Sequence, residues 1–381
     1  MSVGVAILGS TGSIGRSALQ VLARQRDRFR VAALTAYSNA TLLEQQAAEW
    51  KPTYVGIVNG AAGNVQQATG KGGAGTACLV EAATRPDVHI VVNGIVGAAG
   101  LEATLAALRA GKRVALANKE TLVMAGELVA RAAREGGGEI VPIDSEHSAV
   151  LQCITGRRPA ELARLILTAS GGPFRTWTPE RIARATVAEA LRHPTWKMGK
   201  KITVDSATLV NKALEVIEAH FLFGLGVDAV QVVVHPQSLV HAFVEFVDGS
   251  VLAQVGFPTM ELPILYALTH PERVADAGTR RFDPVAAGSL TFEPVRPEIY
   301  PAYRLGRAAG ATGGTAATAF NAANEVAVGL FLEGKMRFGR IAETIARVLD
   351  AHRPTDASTL EAVLAADAAA RRLAREVACS S

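Results

Sequence analysis

Two carboxylates set one residue apart, Asp144 and Glu146 in the run IDSEHS (Ile143–Ser148), are the side chains best suited to holding a cation. They follow an apolar strand-like segment, and open α/β sheets place ligands at the carboxyl ends of their strands. Read as extended chain, Asp144 and Glu146 point to one face, so two hard oxygen ligands can converge. A third carboxylate, Glu215, lies in VDSATLVNKALEVIEAHF (Val204–Phe221), three residues from Lys212 and four from Asn211. That spacing is one face of a helix, whose start the sequence puts near Asp205 or Ser206. Oxygen donors without cysteine suit Mg²⁺ or Mn²⁺ better than zinc. From spacing alone, a solvated or helix-capping set of carboxylates reads the same.

Beside these lie groups suited to an anion. Lys212, Asn211, Ser206 and Ser170 have the chemistry of a phosphate cradle, and Ser170 precedes a GGPF turn able to present a hydroxyl and N–H groups. A routine helix cap next to a surface lysine is the alternative. HPTWKMGK (His193–Lys200), with Trp196 among basic groups, has the composition of a lid that closes over a substrate, or of a surface loop with a packed tryptophan. Lys119, in ANKET after a strand, is placed to face the same cleft. His147, His235 and His241 adjoin strand ends and read as structural histidines.

A nucleotide signal stands at the start of the chain. GSTGSIG (Gly9–Gly15) follows the first strand and opens a helix near Ser13. Its glycines let the backbone approach a pyrophosphate, whose charge meets the N–H groups of the helix start. The spacing is GxxGxxG rather than the commoner GxGxxG, so a plain glycine-rich turn is the competing reading. NAD binders usually carry an acid at the tip of the second strand for the ribose diol; here the tip reads AYSN (Ala36–Asn39), which favours NADP.

The elements that must position these groups alternate through residue 144. VGVAIL (Val3–Leu8), FRVAAL (Phe29–Leu34), YVGIV (Tyr54–Val58), VHIVVN (Val88–Asn93), RVALAN (Arg113–Asn118) and EIVPI (Glu139–Ile143) read as strands separated by helical patterns. Continuous apolar strands alternating with helices predict a Rossmann-like parallel sheet covered on both faces. Beyond Asp144, LARLILTAS (Leu162–Ser170), VQVVVH (Val230–His235), HAFVEF (His241–Phe246) and SVLAQVGF (Ser250–Phe257) predict an α+β domain, the last three as neighbouring strands with a hairpin at Asp248–Gly249. Five prolines between Pro271 and Pro301 read as a linker, and the alanine-rich remainder as a helical bundle. The expected division is 1–144 for the nucleotide, 145–269 for catalysis, to which the family resemblance described below adds dimerisation, 270–301 as linker and 302–381 as C-terminal helices.

Bulk properties set outer bounds. The chain has 381 residues, 49% hydrophobic and 19% charged, a globular composition. A net charge of +4, with no basic run interleaved with aromatics, gives no support for a nucleic-acid partner. Cys78, Cys153 and Cys379 lie far apart and form no CxxC pair, so a disulfide framework is not expected. An apolar strand begins almost at once, so no targeting peptide is expected, and the charge-free stretch Pro52–Gly70 is too interrupted to span a bilayer. A reducing, cytoplasmic setting is the expectation.

Taken together, the motifs resemble the 1-deoxy-D-xylulose 5-phosphate reductoisomerase family. GSTGSIG, NGIVGAAGL from Asn93, LANKE from Leu116, DSEH from Asp144, SGGPFR from Ser170, HPTWKMGKKITVDSAT from His193, NKALE from Asn211, HPQS from His235 and NAANE from Asn321 occur in family order and cover nearly the whole chain. The resemblance implies a homodimer of three-part chains that uses NADPH and a divalent cation. It implies conversion of 1-deoxy-D-xylulose 5-phosphate to 2-C-methyl-D-erythritol 4-phosphate, by retro-aldol cleavage with recombination and then hydride transfer. Thr11, Gly12, Ser13, Ile14, Asn39, Asn118, Glu120 and Gly199 match the nucleotide contacts. Asp144, Glu146 and Glu215 match the metal ligands. Ser170, Ser206, Asn211 and Lys212 match the phosphate site with His193 beside it, Lys119 and Ser145 match the residues that hold the substrate's polar backbone, and Trp196 matches the lid residue that covers it. The cofactor turn, Tyr37-Ser38-Asn39, departs from the family's usual glycine-led turn, Ala213 stands where a glycine is usual, and Thr121 where a serine is. Two other readings remain: a related NADPH oxidoreductase of another branched sugar phosphate, separated by its failure to turn over deoxyxylulose phosphate, and an NADP-sensing regulator, separated by the lack of a metal site.

Overall fold

The computed structural model describes residues 2–60 and 72–379, so the stretch Pro52–Gly70 lies outside the described residues from position 61 onward. Two compact units emerge: Met1–Thr121, Val129–Leu151 and Thr259–Arg281 form the first, and Leu122–Leu128, Gln152–Pro258 and Phe282–Ser381 the second.

The first unit is built on β1 (Val3–Leu8), β2 (Phe29–Ala36), β3 (Tyr54–Ile57), β4 (Gly72–Ala74), β5 (Ile90–Asn93), β6 (Arg113–Leu116) and β7 (Glu139–Pro142). Among the described residues these form one sheet in the order β4-β3-β2-β1-β5-β6-β7, with every pairing parallel. The strands are apolar on both faces because helices cover both: Val5, Ile7, Leu22, Leu34 and Val92 share one core. The connecting helices are α1 (Ser13–Arg24), α2 (Ala40–Trp50), α3 (Ala77–Thr84), α4 (Leu101–Arg109) and α5 (Lys119–Gly136), and α6 (Ser145–Ile154) follows β7. This is the expected Rossmann-like sheet. Strand β4 was not anticipated, since Gly-Gly-Ala carries no apolar pattern.

The helix Glu261–Thr269 packs on α1 and adds Ile264, Leu265, Ala267 and Leu268 to the same core. Arg24 fixes the segment further, with ion pairs to Glu261 at 2.5 Å and Asp276 at 2.7 Å. Residues 259–281 therefore return to the first unit, where the sequence suggested the end of one domain and the start of a linker.

The second unit carries a mixed sheet of β8 (Leu162–Ala169), β9 (Val230–Val234), β10 (Val240–Phe246), β11 (Val251–Val255) and β12 (Glu293–Pro294), ordered β11-β10-β8-β9-β12. β10 and β11 form the hairpin expected at Asp248–Gly249, with Gly249 at φ +84°. The expectation of three neighbouring strands fails at β9, because β8 inserts between β9 and β10, parallel to one and antiparallel to the other. Leu165 and Leu167 of β8 are fully buried, which suits a central strand. The supposed linker also contributes structure. Pro284 opens a short helical turn, Pro294 lies on the edge strand β12 and Pro301 starts a helix, positions where the missing N–H costs nothing. The longer helices of this unit are α7 (Lys200–Ala207), α8 (Val210–Phe223), α9 (Pro301–Thr312), α10 (Ala316–Leu332), α11 (Arg340–Ala351) and α12 (Leu360–Cys379). α9 to α12 form the C-terminal helical part, whose core joins Ala319, Phe320, Phe331, Ile341, Ile345 and Val348 to Leu214 and Ile217 of α8.

Candidate active site

At the sheet's switch point, β1 and β5 diverge to opposite halves of the strand order. Gly9 turns the chain out of β1 at φ +83°, and α1 begins four residues later. A Cβ on Gly15 would lie 2.4 Å from the Gly9 carbonyl oxygen, so only glycine lets the helix start this close to the strand. Gly12 caps α1 without a side-chain hydrogen bond, and its first turn carries no acid. A helix start of that kind presents N–H groups and a positive dipole end to an anion. Thr11 and Ile14 are half-buried, while Gly12 and Ser13 are exposed. The turn is held by a residue the sequence reading missed: Ser10 Oγ donates to Gln46 at 2.7 Å, and Gln46 returns a bond to the Ser10 carbonyl at 3.0 Å. Its signal was a polar residue on the inward face of α2, beside Leu43 and Ala47.

Asn39 is exposed, and its side-chain oxygen accepts from Leu42 N to cap α2. Asn118 caps α5: its oxygen accepts from Thr121 N at 2.9 Å, and its amide donates to the carbonyls of Ile95 and Gly97 and to Glu120. The Asn118 side chain is thus taken up in shaping the loop after β5. Asn93, also missed, holds the same loop from the other side, accepting from Ile95 N and donating to Thr104 and the Gly100 carbonyl. Both asparagines appear at strand ends in NGIVG and LANKE, where a buried amide is the natural way to tie an irregular loop.

The end of β7 carries the first half of the candidate metal site. Asp144 stands between β7 and α6, and Glu146 lies in the first turn of α6. The extended geometry expected for IDSEHS is therefore replaced by a strand-to-helix turn, with Ser145 already helical. Negative charge at a helix start is favoured by the dipole. Ser145 Oγ donates to Glu146 at 2.6 Å. Lys119, 6% exposed at the start of α5, pairs with Asp144, and the fully buried His147 brings Nδ1 to 3.6 Å from the same carboxylate.

The second unit brings together the anion groups. β8 ends at Ala169, and Gly171 and Gly172 follow at φ +82° and +65°. A Cβ on Gly172 would lie 2.6 Å from the Ser206 carbonyl oxygen, so the turn and the end of α7 meet only because residue 172 is glycine. Ser170 Oγ and Ser206 Oγ lie 2.9 and 3.1 Å from His193 Nε2. His193 Nδ1 accepts backbone N–H bonds from Thr195 at 3.2 Å and Trp196 at 2.8 Å. An Nδ1 so occupied holds the ring neutral with its proton on Nε2. Burial, with Lys212 adding a smaller effect, pushes its pKa down to about 4. Trp196 is half-buried and tilts against His241 at a ring separation of 6.3 Å, and Gly199 caps α7.

The single helix expected to start near Asp205 or Ser206 is in fact two. α7 ends at Ala207, Leu209 takes a left-handed turn at φ +57°, and α8 begins at Val210. Asp205 and Ser206 are the last turn of α7 rather than a cap. The spacing within α8 holds: Glu215, fully buried, accepts from Asn211 at 2.5 Å and Lys212 at 2.6 Å. The donors on both units, Asp144, Glu146 and Glu215, are all carboxylate oxygens, a set that fits a hard divalent cation.

A parallel sheet with a glycine turn at its switch point and carboxylates past its last strand is the arrangement of a dinucleotide-binding α/β enzyme. Family profiles specify it further: 1-deoxy-D-xylulose 5-phosphate reductoisomerase matches residues 5–126, its C-terminal domain 140–223, and the DXP reductoisomerase C-terminal domain 255–373. The reductoisomerase of Synechococcus sp. is 48% identical over 98% of this chain and 97% of its own length, and that of Thermomicrobium roseum 49% identical over 99% and 98%. Among solved structures, the Zymomonas mobilis reductoisomerase in complex with NADPH is 40% identical with a TM-score of 0.92, covering 99% of both chains. A DOX-P reductoisomerase in complex with NADPH, fosmidomycin and magnesium is 41% identical with a TM-score of 0.95, covering 99% of this chain and 98% of that one. The chain belongs to the 1-deoxy-D-xylulose 5-phosphate reductoisomerase family.

Proposed function

We propose that both units serve one reaction, the NADPH-dependent conversion of 1-deoxy-D-xylulose 5-phosphate to 2-C-methyl-D-erythritol 4-phosphate. The chain is an oxidoreductase that uses NADPH and a divalent cation, as the solved relatives that hold NADPH and magnesium support. The observation that carries the residue assignment is the convergence of Ser170 and Ser206 on one neutral imidazole, with Asn211 and Lys212 on the next helix. Four neutral groups and one ammonium make a receptor for a phosphate dianion.

Asp144, Glu146 and Glu215 would hold the cation. When bound, it supplies Lewis-acid polarisation of the substrate's adjacent ketone and hydroxyl oxygens, and NADPH supplies the hydride. Lys119, buried against Asp144, and Ser145, bonded to Glu146, are poised to hold the substrate's polar backbone. Ser170, Ser206, Asn211 and Lys212 fix the remote phosphate, so that non-reacting binding energy goes into orientation. Trp196, whose backbone N–H is tied to His193, covers the substrate and excludes water. The nucleotide would meet Thr11, Gly12, Ser13 and Ile14 at the start of α1, Asn39 at the ribose end, and Glu120 and Gly199. Asn118 acts through the loop it ties.

The cation is Mg²⁺ or Mn²⁺, and the working form is a cytoplasmic homodimer. Support for pairing comes from the sheet edge at β11, where Val251 and Leu252 are exposed together with the neighbouring Val247. NADPH absorbance followed with deoxyxylulose phosphate and Mn²⁺, then repeated with a chelator, tests the proposal. Metal-dependent oxidation is expected, and turnover that survives complete chelation would overturn the metal assignment.

A further inference from the structure

The motif NAANE (Asn321–Glu325) has no part in the reaction above, yet one of its residues reaches Asp205, the buried carboxylate next to Ser206 in the chain. Asp205 is 1% exposed. Its Oδ1 accepts from Asn324 Nδ2 at 2.8 Å, and its Oδ2 lies 2.9 Å from Lys201 Nζ, one turn back on α7. Asn324 sits fully buried on α10, in the middle of the helical core. Among the described residues the Asp205 carboxylate bonds Asn324 and Lys201 rather than any group assigned to substrate or nucleotide, and Ser206 follows it directly.

α7 needs such an anchor. It has eight residues, begins at Gly199 without a side-chain cap, ends at Ala207 two residues before the left-handed Leu209, and contains Ile202, Thr203 and Val204, which are poor helix formers. Val204 and Ala207 pack it against the core, but apolar contacts tolerate sliding and rotation, whereas a charged hydrogen bond does not. Stability alone gives little reason for the arrangement. A buried ion pair is often no better than apolar residues of equal volume, and Asn324 Oδ1 stays buried without a hydrogen-bond partner among the described residues. What the polar pair adds is register: one position of α7 along α10.

We propose that Asp205 is a positioning residue, pinned by Asn324 and Lys201, that sets the register of α7 and so holds the Ser206 hydroxyl opposite His193 and Ser170 for the substrate phosphate. The inference rests on the phosphate role of those three residues. A shift of α7 by a fraction of an ångström moves Ser206 out of its 3.1 Å contact with His193 Nε2, while Ser170 just past β8, His193 on its loop, and Asn211 and Lys212 on α8 stay in place. C-terminal helix and phosphate site are thereby linked through one carboxylate.

The test uses Asp205→Asn and Asn324→Ala in the full-length enzyme, the second keeping the Asp205–Lys201 pair in case the first does not fold. For each, KM for deoxyxylulose phosphate, the competitive Ki of inorganic phosphate, KM for NADPH, kcat and Tm are measured. The expected result is a parallel rise of about tenfold in the substrate KM and the phosphate Ki, with kcat and the NADPH KM within about threefold of wild type. A fall in Tm with substrate KM and phosphate Ki unchanged would reduce Asp205 to a structural residue and overturn the proposal. If inorganic phosphate does not compete in the wild-type enzyme, the phosphate reading itself is wrong and the pin goes with it. Competition in the wild type with an unaltered Ki in both variants refutes the pin alone.

Discussion

Replacing Glu215 by glutamine separates the two tasks assigned to that side chain. In the native fold its carboxylate is fully buried and accepts from Lys212 at 2.6 Å and Asn211 at 2.5 Å. Glutamine keeps the volume but removes the charge and turns one acceptor into a donor, which must then face the ammonium or the asparagine amide. Breaking one side of a buried ion pair typically costs about 3–5 kcal/mol. The lower end applies here, since Lys212 has further interactions. About 3 kcal/mol in a domain of this size corresponds to a Tm lower by roughly 6–12 °C. The functional loss is distinct. Removing one of three anionic ligands should weaken Mg²⁺ by more than about 100-fold, because even residues that merely orient ligands often account for 10–100-fold. Calorimetric titration of Mg²⁺ or Mn²⁺ into the folded variant with NADPH present reads this without turnover. NADPH oxidation against metal concentration should show the same displacement. A variant that loses stability as calculated yet binds metal as tightly as wild type would refute Glu215 as a ligand and leave it as the counter-ion of Lys212.

Gly172→Ala should be costly although it adds one methyl group: the left-handed φ of +65° and a Cβ 2.6 Å from the Ser206 carbonyl together cost about 2–3 kcal/mol and push Ser206 from the cradle. Denaturant midpoint and substrate KM should both worsen, and a wild-type KM would refute the close approach. His193 has a folded pKa near 4 against an ordinary value near 6.5. Stability from keeping it neutral is complete above pH 6.5 and is lost as pH falls from 6.5 toward 4, because the unfolded chain takes the proton first. The pH dependence of unfolding should therefore be shallower over that window in His193→Gln, and equal slopes would show that His193 titrates normally.

The first unit was largely legible in the sequence. Its parallel strands are buried on both faces and so appear as uninterrupted apolar runs, and the GSTGSIG turn needs glycine for backbone reasons visible at once, as the Gly15 contact shows. The spacing of Asn211, Lys212 and Glu215 also survived, since i+3 and i+4 contacts depend only on local helix geometry. Less legible was everything set by long-range pairing. β8 and β9 are far apart in sequence and lie parallel, and β4 carries no pattern. The segment after Asp205 looked like one helix because nothing about Leu209 announces a left-handed turn, which the surrounding packing imposes.

What the sequence determined by itself was the chemistry on offer: hard carboxylates, an anion-binding helix start, hydroxyls beside a lysine, and the periodicities that make each element. Those properties belong to side chains and to stretches of a few residues, so they are present before the chain folds. The tertiary structure decided which of them meet. Ser170 and Ser206 share one imidazole only because a glycine turn and the end of a short helix approach within a backbone's width. Asp205 became an internal anchor because Asn324, 119 residues away, arrives beside it. Contacts of that range depend on how whole elements pack, and no local pattern encodes them.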